Sequence, residues 1–260
     1  MATRETLVIP AERLRNLRRW NIGAGVLHAA SAVAVVVLAS DFTLPVTASY
    51  LDGPPGSDAF TTTTLWDVPL AWGVALFFVL SALAHAWVAG PGFRRYGTDL
   101  AQQRNDARWV EYSLSSSVMI WLIAQVCGIA DVTALVAIFA VNACMILFGW
   151  LQEKYEVPGE RGFLPFWFGC FAGAIPWLLI LLVVVLRPGY EGTGEVPGFV
   201  YGIVVSLFVF FNIFAIVQWL QYKQVGRWKD YLVGERTYIT LSLVAKSLLA
   251  WQVFAGTLAG

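Results

Sequence analysis

Charge is scarce in this chain. Asp, Glu, Lys and Arg make up 13% of its 260 residues, against about 25% in an ordinary soluble domain. That is too little to cover a water-facing surface, which excludes a soluble globular protein. An excess of one sign is also missing: 17 basic side chains balance 17 acidic ones, so no nucleic-acid partner is suggested. Histidine is limited to His28 and His85. Cysteine is limited to Cys127, Cys144 and Cys170, all inside apolar stretches. No loop cysteine is left for a disulfide, the spacing matches no metal motif, and the three read as packing residues. No metal site and no catalytic centre are expected, and the chain is not read as an enzyme. A cleavable signal is not expected either, because the first apolar stretch is too long and lacks a small-residue cleavage site.

What is abundant is apolar surface, 58% of residues. Seven windows reach the length of about 18 residues needed to span a bilayer: 20–40, 66–89, 107–127, 131–151, 163–186, 197–222 and 236–257. The expectation is an all-α membrane protein, one seven-helix domain over 1–260, in the plasma membrane. The loops set its orientation. Arg and Lys gather in the N-terminal segment (Arg4 to Arg19) and in the second, fourth and sixth loops, while the opposite side has only Arg187. The positive-inside rule then puts the N-terminus in the cytoplasm and the C-terminus outside. Microbial rhodopsins of the ordinary kind and G-protein-coupled receptors have the reverse orientation. In the first outer loop, Val46 to Tyr50 and Phe60 to Leu65 are rich in Thr and aromatics and flank Gly-Pro-Pro-Gly, which reads as a small extracellular β-hairpin. It is either a plain ordered loop or a subunit contact.

Lys246 is the one Lys or Arg in 237–260. A lysine near the middle of a span costs about 2.5 kcal/mol or more unless neutralised, paired or functional. Snorkelling suits residues near a helix end, and Lys246 lies well inside its apolar run. The sharper reading is a lysine that forms a Schiff base in a dry pocket. A protonated Schiff base is a buried cation and needs a carboxylate. Glu111, in the third span, is the candidate, with Ser115 one turn deeper and Ser116 beside it. The competing reading pairs Glu111 with Arg108 at the membrane surface.

These residues resemble one family, the heliorhodopsins. A lysine in the last span, a carboxylate in the third and an inverted orientation carry the resemblance. So do Trp-Val-Glu-Tyr-Ser-Leu-Ser-Ser-Ser at 109–117, Phe-Gly-Trp-Leu-Gln-Glu-Lys-Tyr at 148–155, Pro-Gly-Phe-Val-Tyr-Gly at 197–202 and Ser-Leu-Val-Ala-Lys-Ser at 242–247. The resemblance implies all-trans retinal on Lys246, Glu111 as counterion, a slow photocycle, a homodimer and a sensory role with an unidentified cytoplasmic partner. It implies a polar, proton-accepting cluster of His28, His85, Ser115, Ser242 and Arg108; by themselves the two histidines read equally as packing residues of the bundle. Ser116, Met119, Asn142, Met145, Ile146, Trp167, Phe171 and Phe211 are expected to line the retinal slot. Helix six offers Phe208, Phe210, Phe211 and Phe214 where pump-like pockets have a tryptophan. Glu153, Tyr231 and Glu235, with Arg108, read either as a cytoplasmic polar lid or as ordinary interfacial charge.

Two positions argue against pumping. Proton pumps of the bacteriorhodopsin kind carry a second carboxylate one turn before the lysine and a donor eleven residues after the counterion. Here those places hold Ser242 and Leu122, and Gln125 is the main polar group beyond. The leading expectation is a retinal photoreceptor without net ion transport. The alternatives are a light-driven transporter or channel, and a light-dependent regulator of a soluble enzyme.

Overall fold

The computed structural model describes residues 6–38, 40–186 and 196–258. Arg4 and Arg187, used above for orientation, lie outside the described residues. The chain runs through α1 (Ala11–Leu38), β1 (Thr43–Leu51), β2 (Phe60–Pro69), α2 (Leu70–Ala89), α3 (Phe93–Ala101), α4 (Asp106–Val126), α5 (Val132–Tyr155), α6 (Leu164–Leu181), α7 (Gly198–Tyr222) and α8 (Tyr231–Val253). Helices α6 and α8 each run on into a π-helical turn, Leu182–Leu186 and Phe254–Leu258. Seven long helices form the bundle, and α3 is a short amphipathic helix that buries Tyr96 and Leu100.

The expected spans hold in number, with shifted edges. Helix α1 begins at Ala11, nine residues before its apolar window, because a helix continues into water as far as its backbone hydrogen bonds allow. Residues 66–69 are strand rather than helix: Pro69 is the N-cap of α2 and ends the ladder. Helix α8 begins at Tyr231, where the Asp230 carboxylate accepts from the Leu232 amide at 3.0 Å. Six of the helices are apolar enough to cross a membrane by length and composition. Helix α4 is the exception, because Asp106, Arg108 and Glu111 in its first two turns are followed by Ser113, Ser115, Ser116, Ser117 and Gln125.

Around the ring, α1 packs on α2, α2 on α4, α4 on α5, α5 on α6, α7 on α8 and α8 back on α1. Between α6 and α7, aromatic side chains bridge instead: the Trp177 ring meets Phe208 and Phe211 edge-on, each at 5.4 Å. The outward faces carry large apolar side chains, among them Val33, Leu83, Leu178 and Val205. Such a belt would be an aggregation liability in water and is matched to lipid.

The hairpin is antiparallel, with a register shift between Val46 and Thr47. It buries Val46 and Ala48, and the Thr47 amide donates to Ala130 O at 2.8 Å. That anchors the hairpin on the α4–α5 turn, where Gly128 takes φ +97°. The half of the bundle next to the hairpin is apolar, with Phe77, Ile120, Leu122, Ile123, Leu135 and Leu249 fully or almost fully buried.

Asp131 caps α5 from this turn, accepting from the Thr133 amide at 2.9 Å and the Ala134 amide at 3.3 Å. Its hydrogen bond from the Thr133 side chain, more than any other contact, holds its carboxyl below the usual aspartate range. Replacing an N-cap by Ala costs about 0.5–2 kcal/mol, and an exposed cap belongs at the lower end. Asp131→Ala is expected to lower the thermal unfolding midpoint in detergent, and Asp131→Asn to keep most of it. The difference between wild type and Asp131→Ala is present at neutral pH. It fades as pH falls below the ordinary aspartate pKa toward the lowered folded one. A pH-independent difference would count against the cap.

Candidate functional site

The polar side chains sit in the half of the bundle opposite the hairpin, in two groups. The first surrounds Lys246 on α8. Side chains on a helix lean toward its N-terminus, so Lys246 reaches back toward the N-terminal end of α8. Its Nζ donates to Glu111 Oε1 at 2.7 Å, to Ser81 Oγ at 2.6 Å and to Ser242 Oγ at 3.0 Å. The Ser81 hydroxyl passes the contact on, donating to Glu111 Oε1 at 2.6 Å. Both ionisable side chains are buried, 4% exposed for Lys246 and 8% for Glu111. Desolvating two charges costs several kcal/mol each, recovered only with close pairing and further hydrogen bonds. Both conditions are met. Ser115 is fully buried one turn along α4 from Glu111.

The alternative pairing of Glu111 with Arg108 is not what forms. Arg108 Nη2 lies 2.5 Å from Glu153 Oε1, and Nη1 is bonded to Glu235. Tyr231 donates to Glu153 at 2.8 Å, Asn105 Nδ2 to Glu235 at 2.6 Å and Tyr96 to Glu235 at 3.1 Å. The Trp109 indole also donates to Glu153. Arg108, Glu153, Tyr231 and Glu235 therefore come together as one buried network from α4, α5 and α8. The expected cluster of His28, His85, Ser115, Ser242 and Arg108 is corrected in this respect: Arg108 is committed to the second group. From its place on α4 the guanidinium reaches two carboxylates on neighbouring helices.

The histidines form a third element. His28 and His85 stack with centroids 5.5 Å apart, and His85 Nδ1 is 2.8 Å from Asn21 Oδ1. Neither ring nitrogen of His28 has a hydrogen-bond partner among the described residues. A cavity of about 30 Å³, room for about one water, is lined by His85, Arg108, Glu111 and Glu235.

An apolar cavity of about 250 Å³ lies between α4, α5, α6 and α7. Tyr112 lines it, and Lys246 Nζ is 5.4 Å from the centroid of the same ring. Two glycines in its wall let neighbours pack close: a Cβ on Gly173 would come within 2.4 Å of Met145 Sδ, and one on Gly149 within 2.5 Å of the Trp109 ring. Of the residues expected to line a retinal slot, Met145, Ile146 and Phe211 line this cavity. Ser116 and Asn142 instead bond to one another at 2.9 Å across the α4–α5 contact, and Met119 is buried in the apolar core. Trp167 and Phe171 are a correction. They are 59% and 73% exposed and face away from the bundle, because the inner face of α6 runs through Phe166, Gly169, Gly173 and Trp177. One residue of phase is about 100° of helix rotation. Trp177 supplies, from α6, a tryptophan to a cavity wall where α7 presents Phe208, Phe211 and Phe214.

Sequence reasoning also missed Ser81, Asn21, Tyr96, Asn105 and Tyr112. Ser81 had a signal: it lies one turn before His85 in an otherwise apolar run.

A family model described as Heliorhodopsin matches residues 17–258. Among solved structures, the transmembrane domain of the Salpingoeca rosetta rhodopsin phosphodiesterase superposes with a TM-score of 0.64 at 14% identity, covering 96% of this chain and 90% of that one. At that identity the likeness is one of fold. No curated protein matches the chain.

Proposed function

The chain belongs to the heliorhodopsin family, a family of multi-pass membrane proteins with a retinal chromophore, and from that premise we propose that Lys246 carries all-trans retinal as a Schiff base with Glu111 as its counterion. The single observation behind this is the buried Lys246–Glu111 contact of 2.7 Å next to an apolar cavity. The cavity fits a polyene: its walls are mostly apolar and aromatic, with Met145 as a polarisable surface. Retinal, when bound, supplies visible absorption and a double bond that isomerises on excitation. The chain's own residues do the rest. Glu111 holds the positive charge, Ser81 and Ser242 fix its geometry, and the stacked histidines beside Asn21 offer a nearby place for a proton. Trp177 and Phe211 give the slot rigid walls.

The output we infer is sensory, through a slow photocycle, with the N-terminus in the cytoplasm, a homodimer as the working unit and a cytoplasmic partner. These follow from the family resemblance and from the loop charges. Adding all-trans retinal to membranes that contain the apoprotein tests the reading: a visible band is expected, and its absence overturns the proposal.

Vectorial transport is not part of this function. A pump needs exchange groups on both sides of the chromophore. Here the hairpin half is built from residues such as Leu122, Ile123 and Leu249. Its buried Gln125 is held by Trp121 Nε1 at 2.9 Å. Illuminated cells are expected to give no photocurrent and no sustained pH change that a protonophore abolishes. A steady light-driven current would promote the transporter reading.

A further inference from the structure

A third cavity, of about 390 Å³, opens on the flank of the bundle between α2, α3 and α4. Glu111, whose side chain is buried, and the more exposed Arg95, Asp99 and Asp106 all line it. The distance is short: Asp106 and Glu111 are five residues apart on α4, about 7.5 Å of rise at about 1.5 Å per residue. Ala84 and Ala107 line both this cavity and the water-sized one that reaches His85 and Glu235. The direct way along the bundle axis is filled by Arg108 and its two carboxylates. Glu111 keeps twice the side-chain exposure of Lys246.

We propose that the flank cavity is a water-filled port through which protons and small polar solutes reach Glu111 from the end of the bundle that carries the N-terminus of α1, with Asp99 and Asp106 as its proton-collecting carboxylates. Much of the wall is apolar, with Trp87, Val110 and Leu114 on it, but Arg95, Tyr96, Asp99, Asn105, Asp106 and Glu111 also line it and supply the two to four polar partners a water needs in a roomy site. Asp99 faces Asp106, Arg95, Arg104 and Glu153. Burial, and then the Asp106 charge, push its carboxyl above the ordinary aspartate range, which suits a group that must pick up protons. Around Glu111 stand Lys246 from α8, Ser81 and His85 from α2, His28 from α1 and Tyr112 on its own helix. A proton from the medium binds an Asp carboxylate, passes by water to the Glu111 carboxylate, and the Asp is recharged from the medium. Both ends of the path lie on one side of the apolar half, so no charge crosses the membrane.

The inference rests on the proposed chromophore site for one of its two tests. The first test uses the retinal-free protein. With Cys127, Cys144 and Cys170 replaced by Ser, Ala84→Cys is treated with a charged methanethiosulfonate reagent, and Thr98→Cys serves as the exposed control. Labelling is expected within about tenfold of the control, and Leu114→Trp should slow it by at least about tenfold, a barrier of about 1.4 kcal/mol. Labelling by a lipophilic maleimide alone would mean that an acyl chain fills the cavity, and would overturn the proposal. Val110→Cys repeats the test where Ala84→Cys does not fold. The second test follows the colour of the pigment after a rapid pH jump. The Asp99→Asn, Asp106→Asn double variant should slow the change by about tenfold with an unchanged end point. A wild-type rate would overturn the role of the carboxylates. Failure to form a pigment counts against the chromophore reading alone, since thiol labelling requires no retinal.

Discussion

Lys246→Ala abolishes visible absorption after retinal is added. Lys246 is buried against the first turns of the polar half, with three hydrogen-bond partners and an apolar cavity beside it. The other lysines, Lys154, Lys223 and Lys229, lie at the ends or outside of the long helices. None of them combines a dry cavity with a buried carboxylate. The substitution leaves Glu111 buried without its cation, an arrangement that costs about 3–5 kcal/mol. Lys246→Ala with Glu111→Gln removes both charges and serves as the folding control. If Lys246→Ala still forms a visible pigment and borohydride traps retinal on another lysine, the assignment is wrong.

Glu111→Gln has the second large effect. The carboxylate favours the charged form of the linkage, so its removal moves the loss of the visible band to lower pH. Breaking a buried pair costs about 3–5 kcal/mol, which corresponds to about 2–4 pH units at about 1.36 kcal/mol per unit. Ser81 and Ser242 still contact Lys246, which places the expectation toward the lower figure. While the linkage stays protonated the band should move to longer wavelength, because the counterion no longer holds the charge at the nitrogen. A spectrophotometric titration measures both quantities. If neither changes, another group carries the counter-charge.

The residues that announce themselves in the sequence are charges in apolar surroundings. Lys246 and Glu111 stand out for that reason, and so do Arg108, Glu153 and Glu235 near the ends of their spans. Glu111 was legible as the acid for Lys246, but whether Arg108 would turn to Glu111 or to Glu153 and Glu235 was not, because those contacts join α4 to α5 and α8 across 45 and 127 residues of chain. Ser81 escaped notice since a lone helical serine ordinarily bonds its own preceding turn, and it does lie 3.0 Å from Phe77 O. The inner face of α6 was illegible for a different reason. In water, an outward face turns polar and gives the helix its phase. In lipid, the outward face is as apolar as the core, so Trp167 and Phe171 look no different in sequence from Phe166 and Trp177. The hairpin was visible from its turn residues, but the end of β2 was hidden inside an apolar window that continues into α2.

The polar first turns of α4 bear on how the chain is made. Arg108 and Glu111 find their partners on helices synthesised later: Glu153 on α5, Glu235 and Lys246 on α8. Charged residues in a span oppose insertion, and α4 carries Asp106, Arg108 and Glu111 in its first two turns, so it gains less from the bilayer by itself than its neighbours. Arg108 has one of its two carboxylates as soon as α5 is made, whereas Glu111 meets its cation only with α8, the last helix of the bundle, so the charges in the first turns of α4 are fully paired only in the closed ring.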